Sequence, residues 1–181
     1  MRRAFRRQVR RTFAPDVPPI LQRANNLFDK GEYERAAEAY EQIASAAELR
    51  NGPRAPFFFL QAGRSRVLAG QTAAGMEHLK HGLSLFAARG LPGRVFNAGN
   101  RVVSELNQLG LKKEAGEIGA LVKSLLPAQS NFAHTAGLAG RPVLPTHCPS
   151  CGASVRLDEV EWLDNLTAEC AYCGSPVRGE A

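Results

Sequence analysis

The residues best suited to chemistry are four cysteines, all within the last 34 residues of the 181-residue chain. They form two Cys-x-x-Cys pairs, Cys148 with Cys151 and Cys170 with Cys173, and 18 residues separate the pairs. Each pair is followed by a glycine, which lets the backbone turn beneath a metal ion so that amide N–H groups face sulfur. Four thiolates fill a tetrahedral shell, so this pattern predicts a structural metal site with no open position for a substrate.

The spacing favours one structural Zn²⁺ ion as the cofactor. Two other interpretations stay open, namely a redox-active dithiol pair and an iron–sulfur or rubredoxin-like iron centre. A redox pair needs a strand-to-helix setting that this sequence does not offer, whereas spacing alone does not separate iron from zinc. His147 is an available alternate ligand, but four cysteines already complete the shell. Paired cysteines that bind metal also favour a reducing, cytoplasmic location.

The two halves of this segment echo each other, because residues 148–155 read CPSCGASV and residues 170–177 read CAYCGSPV. Between them, residues 155–162 and 166–170 predict short β-strands joined by a turn at Asp164 and Asn165. Over about 30 residues the segment closely resembles the zinc-ribbon family. So short a segment buries too little apolar surface to fold alone, and metal binding on the order of 10 kcal/mol makes up the deficit.

The elements before this segment are predicted to be helical hairpins. Gly31, Gly70 and Gly110 each lie between two apolar patterns of helical period and follow one another at steps of 39 and 40 residues. A glycine suits the left-handed position that ends a helix. Small residues lie five positions after each glycine, and seven before two of them, where helices of one hairpin would cross closely. These positions are Ala36, Gly75 and Ala115 after the glycines, and Ala24 and Gly63 before them. We predict six helices at 18–30, 32–48, 55–69, 71–88, 94–109 and 111–126.

Residues 27–40, which read LFDKGEYERAAEAY, resemble the centre of a tetratricopeptide repeat (TPR). The second and third repeats keep the glycine and apolar spacing but carry Thr72 and Lys112 in place of the aromatic residue after the glycine. Their steps exceed the family period of about 34 residues, and the extra residues fall in loop sequences. The resemblance implies a mainly α fold, a TPR-like α–α superhelix of about three helical hairpins, with a small C-terminal β zinc ribbon.

The chain therefore divides into four predicted regions. Residues 1–15 form a basic Arg-rich arm, residues 16–126 the helical repeats, residues 127–147 a linker rich in Ala, Gly and Pro, and residues 148–181 the ribbon.

In the TPR family the first helix of each hairpin lines a concave groove that binds partner segments. The resemblance places eight candidate partner-binding residues there: Asn25, Arg64, Asn97, Asn100, Arg101, Ser104, Asn107 and Gln108. The six of these residues that lie in the third repeat are rich in amides, which suits binding an extended peptide backbone. A groove surface that only contacts solvent would explain them equally well. Residues 49–112 contain nine basic residues and two acidic ones, so an acidic protein or peptide is the expected partner. The acidic ribbon is itself one candidate for docking there.

Two other partner classes remain as alternatives. Residues 1–11 contain six arginines and no acidic residue, so an arm of residues 1–13 suits nucleic-acid phosphates, an anionic membrane surface or an acidic protein face, or contacts nothing specific. The ribbon contains two basic and six acidic residues, whereas many ribbons that bind nucleic acid are basic. Nucleic acid is therefore the runner-up partner, and membrane recruitment is the third hypothesis.

The sequence offers little for catalysis. It contains no phosphate-binding loop, nucleophile elbow or paired-acid motif. His78 and His81 are three residues apart on one predicted helix, but no suitable ligand accompanies them, so we interpret them as surface histidines. Neither an apolar run of about 18 residues nor a signal-peptide pattern occurs. We expect a non-enzymatic cytoplasmic adaptor or scaffold, whose oligomeric state the sequence does not indicate.

Overall fold

A computed structural model gives the fold and describes residues 18–126, 142–157, 160–162 and 165–179. Within these ranges the chain is mainly helical, as predicted, and each observed helix begins and ends within two residues of its predicted bounds. The helices are α1 (Pro19–Asp29), α2 (Tyr33–Leu49), α3 (Ala55–Leu68), α4 (Thr72–Ala88), α5 (Pro92–Gln108) and α6 (Lys112–Leu125). They form three consecutive antiparallel hairpins, α1–α2, α3–α4 and α5–α6.

The predicted glycines end the first helix of each hairpin. Gly31, Gly70 and Gly110 have φ angles of 77°, 81° and 79°, a backbone region that other residues rarely adopt. In the first hairpin the Gly31 N–H donates to the Phe28 carbonyl at 3.0 Å, and the next N–H donates to the Leu27 carbonyl at 2.9 Å. The same pair of bonds recurs at the other two glycines. This double bond pattern satisfies the last carbonyls of the helix and turns the chain back on itself.

The close helix crossings also follow the predicted small residues. A Cβ atom added to Gly63 would lie 2.8 Å from the Gly75 carbonyl oxygen, and one added to Gly75 would lie 2.8 Å from the Gly63 carbonyl oxygen. Helices α3 and α4 therefore touch backbone to backbone at this crossing. In the third hairpin the close contact lies elsewhere, because it is Gly99 of α5 that packs directly on Val122 of α6.

The C-terminal segment, which we define as the described residues from 142 to 179, contains a small antiparallel sheet. Its strands are β1 (Glu161–Trp162), β2 (Thr167–Glu169) and β3 (Pro176–Arg178), in the order β1-β2-β3. Ala168 pairs with Trp162 on one side and with Val177 on the other. Of the described residues in the strand predicted at 155–162, only Glu161 and Trp162 are in a strand, and β3 was not predicted.

Two hydrophobic clusters organise the core. The first joins α1, α2 and part of α3 to the C-terminal segment, and it contains Leu21, Tyr40 and all four cysteines. The second joins the rest of α3 to α4, α5 and α6, with Phe86 and Ile118 among its fully buried side chains. The C-terminal segment therefore packs against the helices and shares its core with the first hairpin.

Candidate metal centre and the helical face around it

The structure brings the four predicted ligands together. All four cysteines are buried, and their sulfur atoms lie within 4.8 Å of one another. Cys148 Sγ lies 3.7 Å from Cys173 Sγ, and Cys151 Sγ lies 3.9 Å from Cys170 Sγ. A tetrahedron with metal–sulfur arms of about 2.3 Å has edges of about 3.8 Å, whereas a disulfide needs about 2.05 Å. The cysteines are free thiols, and their separations fit a metal ion.

The two Cys-x-x-Cys turns have the same backbone conformation. Gly152 and Gly174 both have a φ angle of 75°, and each donates its N–H to the carbonyl of the first cysteine of its turn at 2.9 Å. The N–H of Cys148 donates to the Ala153 carbonyl at 2.8 Å, and the N–H of Cys170 donates to the Ser175 carbonyl at 2.9 Å. We call residues 148–152 and 170–174 the first and second knuckles. The repeat visible in the sequence is thus a repeat of structure.

Donors around the sulfur atoms suit thiolates. The backbone N–H groups of Cys151, Ala153 and Cys173 lie where they favour the thiolate forms of Cys148, Cys151 and Cys170 respectively. The Ser175 side chain is 1% exposed, and its Oγ has no hydrogen-bond partner within ordinary geometry among the described residues. The neighbouring thiols, Cys148 first, lower the pKa of Cys173, and the Ser175 hydroxyl adds a smaller contribution in the same direction. Such donors orient ligands and stabilise negative charge on sulfur.

The thiols cannot all ionise together without a cation. Side-chain hydrogen bonding with Cys151 lowers the pKa of Cys148 to about 6, and side-chain hydrogen bonding with Cys148 lowers the pKa of Cys173. Hydrogen bonding to Cys148 raises the pKa of Cys151 and of Cys170, and burial adds to both shifts. Four buried thiolates would repel one another, so a dication is the natural compensation for the complete set.

The known proteins offer no assignment for this site. No family model, no curated protein and no solved structure matches the chain. Among the described residues the four cysteines are the sole cluster of three or more side chains suited to a metal ion. His147 stays outside it: its ring is exposed, with Nε2 3.8 Å from Asp29 Oδ2.

The first knuckle is fixed to α1 by two side-chain amides. Asn25 is 2% exposed, and its Nδ2 donates to the Cys151 carbonyl at 2.6 Å. Its Oδ1 accepts a hydrogen bond of 2.6 Å from the hydroxyl of Tyr40, a buried residue of α2. Gln22 Nε2 donates to the Ser150 carbonyl at 2.9 Å. A continuous chain of hydrogen bonds therefore runs from the core of the first hairpin to the first Cys-x-x-Cys turn.

The second knuckle contacts α3. Glu169, the residue before Cys170, pairs with Arg54 at the start of α3. Tyr172, between the two cysteines of this knuckle, is 3% exposed, and its ring centroid lies 6.2 Å from that of Phe57. Burial raises the pKa of Tyr172. The knuckle thus presents one acidic and one aromatic side chain to the helix.

A third contact reaches α5 through Glu105. Its carboxylate lies 2.7 Å from Arg64 Nε of α3 and 3.2 Å from Arg156 Nη1 of the C-terminal segment. Contacts to α1, α3 and α5 place the segment across the first helices of all three hairpins. We call the side of the array that these helices form the inner face.

The predicted partner-binding residues have two different environments. Asn25 lies beneath the C-terminal segment, while Arg64 pairs with Glu105 and lies over the Phe28 ring, with its guanidinium carbon 5.3 Å from the centroid. Arg101 is half-buried. The other five residues are exposed on α5, namely Asn97, Asn100, Ser104, Asn107 and Gln108.

Sequence reasoning did not assign Gln22, Arg54 or Glu105 to this face. The charge contrast between the basic middle of the chain and the acidic ribbon was the available signal for Arg54. Nothing comparable marked Gln22 or Glu105.

A cleft of about 230 Å³ lies between α3 and α5, beside the five exposed predicted residues of α5. Arg64, Glu105 and Gln108 supply its polar groups, and Val102 and Leu106 are part of its apolar wall. The cleft is large enough for one side chain of a bound segment.

The two histidines of α4 have acidic neighbours from another helix. His78 Nε2 lies 2.9 Å from Glu41 Oε1, and His81 Nε2 lies 2.9 Å from Glu48 Oε1, with both glutamates on α2. Phe59 packs against both imidazole rings. These histidines connect the first and second hairpins; His81 is exposed, as predicted, whereas His78 is partly buried.

The remaining predictions concern the Arg-rich arm, the linker and the absence of a membrane-spanning helix. The Arg-rich arm at 1–15 and residues 127–141 of the predicted linker lie outside the described residues. In the part of the chain that is described, none of the helices combines the length and apolar character needed to span a bilayer.

Proposed function

We propose that this chain is a non-enzymatic adaptor in which a TPR-like array binds a partner protein segment and a zinc ribbon packs on the same face. The observation that carries the proposal is the inner face itself. Part of it is covered by a segment built around four buried thiols, and the remainder presents five exposed polar side chains along α5. The exposed part presents amide and hydroxyl groups, which are suited to binding a peptide backbone.

The metal ion would have a structural role, held by Cys148, Cys151, Cys170 and Cys173. A zinc ion bound by four buried sulfur atoms has no position left for water or substrate, so it stabilises the fold and does not activate a nucleophile. We propose Zn²⁺ because closed four-thiolate sites of paired Cys-x-x-Cys turns are typical of structural zinc. Thiols that bind metal must stay reduced, which favours a cytoplasmic location.

The partner segment is proposed to bind along α5. Asn97, Asn100, Asn107 and Gln108 offer amide donors and acceptors, which pair with the backbone of an extended peptide whatever its side chains. The basic excess of residues 49–112 favours a segment with acidic residues. The cleft beside Gln108 would take one apolar side chain of that segment.

Affinity purification from the organism's own cells tests this proposal. We expect zinc at about one ion per chain by elemental analysis when no zinc is added, and a co-purifying protein that Asn100→Ala with Asn107→Ala removes. Asn26→Ala with Gln42→Ala is the matched control, because both residues are exposed amides on other helices. Recovery of the same protein with both double variants would contradict the proposed surface.

The rival partners have their own signatures. Nucleic acid that co-purifies with a steep salt dependence, and is lost when residues 1–13 are deleted, would favour the nucleic-acid hypothesis. Binding to anionic vesicles lost by the same deletion would favour membrane recruitment.

A further inference from the structure

The contacts that hold the C-terminal segment on α1 are of a kind that an unrelated peptide could also make. Asn25 and Gln22 donate to two successive main-chain carbonyls, those of Cys151 and Ser150, at 2.6 and 2.9 Å. A side-chain amide bound to a carbonyl recognises extended or turning backbone and not a particular side chain. The first helix therefore offers a backbone-binding surface that the chain's own knuckle now occupies.

The contacts on α3 add a side-chain preference. Arg54 pairs with Glu169, and the Tyr172 ring is buried against Phe57, three residues further along the occupant. The Arg54 guanidinium also packs so closely on Gly174 that an added Cβ atom there would overlap it. Arg54 and Phe57 thus form a cationic and an aromatic subsite, spaced for an acidic residue followed by an aromatic one.

The segment that covers these subsites depends on its metal centre, whereas much of the array does not. A fold of this size does not close without its metal ion. The second hydrophobic cluster, which joins α3 to α4, α5 and α6, contains no residue of the C-terminal segment. Loss of the metal should therefore release the cover while the second and third hairpins keep their core.

We propose that the α1–α3 part of the inner face is a second peptide-binding surface, covered by the metal-bearing C-terminal segment, that accepts an acidic residue three positions before an aromatic one. This inference rests on the proposed function; it specifies the class of ligand that the inner face would accept and proposes that metal binding regulates access to it. While the metal is bound, the tethered segment acts at an effective concentration on the order of millimolar, so a free peptide of ordinary affinity does not displace it. When the metal leaves, the subsites are open to a segment of another protein.

The test uses the full-length chain, reduced throughout, in its zinc-loaded form and after removal of the metal by a chelator. The probe is a fluorescent peptide of residues 165–178 carrying Cys170→Ser and Cys173→Ser, and fluorescence anisotropy measures its binding. We expect no binding to the zinc-loaded chain and saturable binding to the metal-free chain. The peptide change Glu169→Lys or Tyr172→Ala should weaken binding about tenfold, as for loss of one partner in a central contact.

A charge exchange makes the test specific for Arg54. In the metal-free chain Arg54→Glu should weaken binding of the parent peptide about tenfold and restore binding of the Glu169→Lys peptide. Arg50→Glu is the matched control, because Arg50 is an exposed arginine four residues away, just beyond the end of α2, and should leave binding unchanged.

Three results would overturn the inference. One is loss of most of the helical circular dichroism on chelation, since the segment would then be part of the array's core and not a cover. Another is a metal-free chain with its helices intact that does not bind the peptide. The third is a metal-free chain that dimerises through its own released segment and excludes the peptide, which would make a second copy the occupant. None of these affects the zinc content of the loaded chain or the α5 variants, which test the proposed function separately.

Discussion

The buried Asn25 side chain is the most informative single position to change. Its amide connects two elements at once, because Nδ2 donates to the Cys151 carbonyl and Oδ1 accepts from the Tyr40 hydroxyl, both at 2.6 Å. Asn25→Ala would leave the hydroxyl and the carbonyl without these partners in a site where Asn25 and Tyr40 are 2% and 1% exposed. Each unsatisfied buried group costs about 1–3 kcal/mol, so the variant should lose about 2–6 kcal/mol of folding free energy.

The partner substitution separates the two bonds. Tyr40→Phe in the Asn25→Ala background removes the unsatisfied hydroxyl, so the double variant should recover about 1–3 kcal/mol relative to the single one. Asn26→Ala is the control on the same helix, because Asn26 is exposed and its change should stay within about 0.5 kcal/mol of wild type.

Urea unfolding of the zinc-loaded chain, followed by circular dichroism, gives the free energies. Competition with a chromophoric chelator gives the metal affinity, which should fall in Asn25→Ala because the first knuckle loses its anchor on α1. The reasoning would be refuted if Asn25→Ala and Asn26→Ala unfolded at the same urea concentration and lost the metal at the same chelator concentration.

Three further predictions concern the helix crossing, the acid side of the stability profile and the metal shell. Gly63→Ala should destabilise the chain by about 1–3 kcal/mol, because the new Cβ would lie 2.7 Å from Leu79 Cγ. Gly116→Ala on α6 has no atom within 4 Å of the new Cβ and should instead stabilise by about 0.5–1 kcal/mol, both measured by urea unfolding. Hydrogen bonding from Arg66 lowers the pKa of Glu41 below its ordinary 4.5, so this stabilisation is present above pH 4.5 and is lost as the pH falls through the folded-state pKa. Glu41→Gln should therefore flatten the loss of thermal stability below pH 4.5, and an unchanged pH profile would contradict this account. Ser175→Ala should weaken zinc affinity about tenfold in chelator competition, since outer donors to metal ligands typically contribute that much, whereas an unchanged affinity would show that the hydroxyl has no such role.

The helices could be predicted because their signals are local. Gly31, Gly70 and Gly110 each end a helix through backbone conformation within a few residues, and the Gly63–Gly75 crossing follows from two small side chains in one hairpin. The four cysteines were predictable for the same reason, since each pair forms its own turn.

Strand β3 was missed because a strand of three residues leaves almost no local pattern. Residues 153–156 and 175–178 follow equivalent turns and both contain Val-Arg, but an extended conformation was predicted only after the first knuckle. The structure places the ladder partner of β2 after the second knuckle, where Val177 pairs with Ala168. In a strand of three residues the pairing partner decides the conformation, and the alternating pattern is too short to show it.

The packing of the C-terminal segment on the helices was beyond local reasoning. Arg54 and Glu169 are 115 residues apart, and Asn25 and Cys151 are 126 apart, so no periodic pattern connects them. The opposite net charges of the two regions suggested docking but not its position. That position depends on shape, because Tyr172 enters beside Phe57 and the backbone of Ser150 and Cys151 meets the amides of α1.

The metal and the interface have separable roles in this arrangement. Structural zinc contributes on the order of 10 kcal/mol to a small fold, whereas a single hydrogen bond or half-exposed ion pair contributes about 1 kcal/mol. On the proposed zinc assignment, the four thiolates would decide whether the C-terminal segment folds at all. The contacts of Asn25, Arg54 and Tyr172 are too weak to fold it, but they act between surfaces that are already shaped, so they decide where the folded segment packs. If loss of the metal releases the segment as proposed, α3 should stay in place because the second hydrophobic cluster, which holds it to α4, α5 and α6, contains no residue of the segment, whereas the first hairpin would lose part of the core it shares with the segment.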